Sequence, residues 1–141
     1  MVLTRKESKM REIKFRAKPL NGPWAYGEPH IKNCRHPHIH TAASATIYID
    51  PKTVGQFIGI KDSKGREIYE GDILEYYNKI TKKSHLSGLV IYNEHAAAFN
   101  VVNPKNGLYM YIKPTDDGID ETLTIIGNIY DNPELLKGGE V

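Results

Sequence analysis

The densest group of potential metal ligands in this 141-residue chain is His30, Cys34, His36, His38 and His40. Imidazole and thiolate both bind zinc: three such ligands with an open position make a catalytic site, and four close a structural one. If residues 36–40 are extended, His36, His38 and His40 share a face, because strand side chains alternate. Two features oppose a shared ion. Pro37 disturbs the strand, and same-face neighbours stand about 6.5–7 Å apart, which is wide for three ligands on one metal. The competing reading is a solvent-facing loop that picks up zinc or nickel adventitiously. Cys34 sits beside Arg35, a setting that favours thiolate, but a lone surface cysteine is usually inert.

Other catalytic signatures are missing. The sequence has no Gly-x-Ser-x-Gly, no Gly-rich phosphate loop and no His-Glu-x-x-His. The carboxylates of Glu70, Asp72, Asp116 and Asp117 fall at turns, where solvated or backbone-bonded acids are normal. The expectation is a protein that binds rather than turns over, is not an enzyme and needs no cofactor. Aromatic residues are the more suggestive feature. Tyr109 and Tyr111 fall on one strand face, suited to stacking bases at roughly 1–3 kcal/mol each, to a subunit interface or to filling the core.

Charge narrows the partner. Residues 1–9 hold three basic and one acidic side chain, while the remainder has 16 of each, so the net +2 lies wholly in the leader. A nucleic-acid binder usually shows a basic excess, because phosphate contacts dominate its affinity; nucleic acid is therefore an unfavoured partner. Within the domain, residues 10–87 carry 13 basic and 8 acidic groups, and residues 88–141 carry 3 and 8. Halves on different surfaces would make a dipolar molecule able to self-associate, whereas halves interleaved in one barrel would neutralise locally. The latter is expected. One cysteine fits a reducing cytoplasm, and no apolar run approaches the roughly 18 residues that span a bilayer.

The elements that must carry these residues are strands. Residues 11–18 alternate Ile13, Phe15 and Ala17 against charged neighbours, the pattern of a half-buried strand. Trp24 and Tyr26 fall on a short strand between prolines, and residues 30–40 read as irregular. Strands are expected over 45–49, 54–60, 73–80 and 88–102, with residues 81–84 as a hairpin tip, and again over 108–112 and 123–129. Asp62 caps a Gly-closed turn at residues 62–65, and residues 103–107 form another turn. One helical turn follows Asn132 as its cap. No segment holds a 3.6-residue period, so the fold is mainly β, a small barrel or sandwich. Residues 10–141 make one domain, with residues 1–9 a flexible basic leader.

Three phrases are specific in combination. Residues 10–16 read M-R-E-I-K-F-R, residues 59–74 read G-I-K-D-S-K-G-R-E-I-Y-E-G-D-I-L, and residues 126–136 read I-G-N-I-Y-D-N-P-E-L-L. Together and in this order they resemble the YopX family of bacteriophage and prophage proteins. The phrase at residues 69–74 is also similar to a corner of SH3-like barrels. The resemblance implies a small cytoplasmic accessory protein, without naming a reaction. Asp72, Asn128 and Asn132 suit local turn bonding; alternatively, the middle and end phrases converge on a cleft with Tyr69, Asp72, Asn128 and Tyr130 as ligand contacts. A binding module that engages a host protein, with homo-oligomers in view, is the first expectation. The alternative is an oligomer that sequesters a nucleotide signal, with Trp24, Arg66, Tyr69 and Asn128 as its site.

Overall fold

A computed structural model describes residues 12–113 and 115–137. The leader at residues 1–9 and the first two residues of the M-R-E-I-K-F-R phrase lie outside them. The elements in order are β1 (Phe15–Ala17), β2 (Ala25–His30), β3 (His38–His40), β4 (Thr46–Tyr48), β5 (Gly55–Lys61) and β6 (Glu67–Tyr69). They continue with β7 (Asp72–Asn78), β8 (Lys83–Asn93), β9 (Ala98–Val102), β10 (Tyr109–Tyr111), β11 (Leu123–Asn128) and the short helix α1 (Glu134–Lys137). The first six strands form one antiparallel sheet in the order β4-β3-β2-β1-β5-β6, and the other five form a second in the order β10-β9-β8-β7-β11. The protein is mainly β and sandwich- or barrel-like, without closing into a barrel.

Chain order thus divides by sheet. Residues 12–71 carry nine basic and six acidic groups and residues 72–137 six and nine. The halves 10–87 and 88–141 nevertheless share the second sheet, where β7 from the basic half lies between β8 and β11. Opposite charges also meet at the junction of the sheets, where Arg16 pairs with Asp72 and Lys18 with Asp131.

Two apolar clusters hold the layers. Ile60 and Ile68 from the first sheet pack on Leu74, Val90, Val101 and Leu123 from the second. Ala17, Ala25, Ile39 and Ile49 form a smaller cluster within the first. Each fully buried Leu, Ile or Val contributes roughly 1.5–3 kcal/mol, so the larger cluster dominates the joining of the sheets. The chain crosses between sheets at Gly71, whose φ of 91° belongs to the left-handed region that favours glycine. Its N–H donates to Val90 O and its carbonyl accepts from Ile129 N, so one residue ties the corner to two neighbouring segments.

Local departures from the sequence pattern have identifiable causes. Residues 88–102 are two strands, because the Asn93 side chain accepts from the backbone N–H of His95 and turns the chain. The hairpin tip lies nearer residues 79–82 than 81–84, with the Asn78 carboxamide accepting from Ile80 N and Thr81 N. Pro29 lies within β2 opposite Ile39 rather than ending it, and β3 gives order to a segment read as irregular. Asn132 does precede α1, but its side chain turns back to accept from Asn128 N at 3.3 Å.

Candidate functional site

The site grows from a charge inside a strand. In β1, Ala17 points into the smaller core, so Arg16 points the other way, beside Tyr26 of β2, its direct cross-strand partner. Its guanidinium lies 4.0 Å from the centroid of the Trp24 ring and 4.8 Å from that of Tyr69. Nη2 donates to Asp72 Oδ1 at 2.7 Å. The second Asp72 oxygen accepts from the backbone N–H of Tyr69 at 2.8 Å, so this carboxylate both closes the corner and holds Arg16. Burial pushes the Asp72 pKa up, with Arg16 and the Tyr69 amide pulling against it and the net direction upward. Burial, and next the charge of Glu67, push up the Tyr69 phenol, which donates to Glu67 Oε1. The other Glu67 oxygen accepts from Lys14.

A second ion pair stands where barrel closure would need a strand ladder. Asp62, at 0% exposure, accepts from the backbone N–H groups of Lys64, Arg66 and Ile125. Arg66 Nη2 in turn donates to Ile125 O at 2.8 Å and lies 2.9 Å from Asp62 Oδ2. The Asp62–Arg66 pair therefore satisfies both backbone groups of Ile125 and stands in for a neighbouring strand along the edge of β11. Burial pushes the Asp62 pKa up, but the amides of Ile125 and Arg66 together with the Arg66 side chain outweigh it and hold it below its ordinary value.

Between β6 and β11 the substitution leaves a cavity of about 540 Å³. Arg16, Tyr26, Arg66, Tyr69, Asp72 and Asn128 line it, together with Glu67 and the 125–127 segment of β11. The middle and end phrases thus do meet around one space. Of the candidate residues, Arg66, Tyr69, Asp72 and Asn128 line the cavity directly. Trp24 and Tyr130 do not line it: they pair edge to face at 6.0 Å, with Trp24 against Arg16 and Tyr130 bordering a separate cavity. Asn128 also does the local work expected of it: its Oδ1 accepts from the N–H groups of Tyr130 and Asp131.

The chain matches the family described as "YopX protein" over residues 6–137. It belongs to the YopX family. The matched span opens inside the segment read as a leader. Among solved structures, the chain is similar to protein EF1440 from Enterococcus faecalis at 22% identity and a TM-score of 0.50. That likeness covers 90% of this chain and 99% of the other, and it concerns fold alone. No protein of curated function matches.

Arg16, Tyr26 and Asp62 of this YopX domain were not singled out as site residues from the sequence. Arg16 had a readable signal: an alternating strand that places a charge between Phe15 and Ala17 on the face shared with an aromatic neighbour. Asp62 had none beyond its turn, since its bond to Ile125 spans 63 residues.

The histidine segment is arranged otherwise. His38 stacks on His30 with ring centroids 5.0 Å apart, because the two are register partners in β2 and β3. His36 packs edge-on against Tyr48, and His40 is exposed opposite Glu28. His36, His38 and His40 do not converge, and among the described residues no three His, Cys, Asp or Glu side chains come together as a metal site. Strand spacing and ring stacking account for this. Also among the described residues, no helix is long and apolar enough to cross a membrane.

Proposed function

We propose that this YopX domain is a non-enzymatic binding module of phage or prophage origin, acting in the host cytoplasm, and that it takes a small polar ligand into the cavity between β6 and β11. One observation carries the reading: two family phrases separated by more than fifty residues line a single cavity with a buried arginine in it. The cavity volume falls within the range of small-molecule sites, roughly 300–1,000 Å³. Thermal unfolding in the presence of small-molecule extract from the host tests it. A ligand at 100 times its dissociation constant adds about 2.7 kcal/mol, so the wild type should gain several degrees and the cavity-filling Ile126→Trp variant should not. Equal shifts, or none in either, contradict the reading.

A second reading, a host protein as partner, is favoured by a different surface. Leu108, Tyr109 and Tyr111 on and beside edge strand β10 are 66%, 53% and 69% exposed. Exposed aromatics on a sheet edge suit protein docking or self-association.

A further inference from the structure

We infer that the ligand of this cavity is a small oxyanion of low charge, a carboxylate or a phosphate ester, held by Arg16 and Arg66; this rests on the reading of the cavity as a binding site. Every carboxylate oxygen around the cavity is engaged: Asp72 by Arg16 and the Tyr69 amide, Glu67 by Lys14 and the Tyr69 hydroxyl, Asp62 by Arg66 and three backbone amides. The Asn128 carbonyl oxygen is likewise occupied by Tyr130 and Asp131.

The donors are not used up. Arg16 is 7% exposed, yet Nη2 is its one nitrogen bonded to a described residue, and Nε is buried with no partner. Arg66 uses Nε and Nη2 on Asp62 and Ile125; its side chain is 48% exposed, and Nη1, with no bond among the described residues, is open to solvent and to a ligand. Arg16 Nε is the costly case, a buried charged donor left unsatisfied, which native proteins rarely keep without reason. The lining thus sets free guanidinium donors beside carboxylates that already hold partners. Guanidinium groups pair with carboxylate and phosphate oxygens more strongly than with neutral acceptors.

Charge balance sets the ligand's size of charge. Lys14, Arg16 and Arg66 face Glu12, Asp62, Glu67 and Asp72, three against four, with Lys14 shared between Glu12 and Glu67. One added negative charge is stabilised by its contacts, whereas a polyanion would leave the site strongly negative. The half-exposed Tyr26 ring at the rim, edge-on to Tyr69 at 5.8 Å, offers a surface for a planar group on the ligand.

The test is a side-chain NMR titration of ¹⁵N-labelled full chain, following the Nε–Hε resonances of Arg16 and Arg66. The probes are benzoate, its neutral counterpart benzamide, inorganic phosphate and tripolyphosphate. Saturable shifts with benzoate or phosphate but not with benzamide support the inference, and whichever of the two acts distinguishes carboxylate from phosphate. Arg66→Lys, which keeps the charge beside Asp62, should weaken that probe's binding about tenfold while amide dispersion stays native. Equal shifts with benzamide, or tighter binding of tripolyphosphate than of phosphate, overturn the inference and leave the cavity as a binding site. No movement of any cavity resonance with any probe overturns both.

Discussion

Arg16 Nη2 and Asp72 Oδ1 lie 2.7 Å apart across the junction of the two sheets, and neither side chain is more than 8% exposed. Removing one partner of such a pair strands the other charge, at roughly 3–5 kcal/mol, whereas replacing both by apolar groups is often neutral or stabilising. Asp72 also closes the corner through the Tyr69 amide, so its loss should cost more than that of Arg16. Urea unfolding of Arg16→Met, Asp72→Leu and the double variant should give a double mutant more stable than Asp72→Leu alone. Additive losses would mean that the pair does not act as a unit.

Asp62 should make the fold acid-sensitive. A carboxyl whose folded pKa lies below its unfolded one binds its proton more readily when unfolded. Its stabilising contribution is full above the ordinary aspartate value of 3.8 and is lost as pH falls through the lower folded value. Asp72, with its raised folded pKa, works in the opposite sense: its protonation favours the folded chain as pH falls. Asp62→Asn should therefore lower stability at neutral pH by about 1–3 kcal/mol and flatten the decline as pH falls below the ordinary aspartate value of 3.8. An unchanged acid limb in urea titrations would argue against this role.

Gly127 is a steric prediction. A Cβ there would sit 2.6 Å from Asn132 Oδ1 and 2.8 Å from Leu135 Cδ1, so both side chains would have to shift, Asn132 at the expense of its bond from Asn128 N. Gly127→Ala should cost about 1–3 kcal/mol through this overpacking. Shortening the obstructing side chain with Leu135→Ala in the same chain should recover part of the loss.

On β10, Tyr109→Ser with Tyr111→Ser should change stability by less than about 0.5 kcal/mol per site, since both rings are exposed. If a protein partner docks there, its affinity for the double variant, measured by titration calorimetry, should fall while small-ligand binding is retained. Unchanged partner affinity would remove the second reading.

Much of the fold was legible because strands report themselves locally. Ile13, Phe15 and Ala17 alternate, Asn103 and Gly107 mark a turn, and the corner at residues 69–72 reads directly. Boundaries were less so: the split at residues 94–97 depends on one Asn93 side chain inside an otherwise continuous β pattern. Nor does periodicity say which side chains meet across sheets. Arg66 and Asn128 shared the family phrases and do share a cavity, but Arg16 joins them only through the pairing of β1 with β2 and β5. The histidines have the composition of a metal site without the geometry, since strand pairing spends His38 on stacking against His30.

The space between β6 and β11 is proposed to hold a ligand. Native mass spectrometry on untagged protein, purified gently from its host, tests this most directly when wild type and Ile126→Trp are compared. The prediction is a non-covalent adduct with the mass of a small metabolite on the wild type, absent from the filled variant. An apo mass for both, or the same adduct on both, would contradict it.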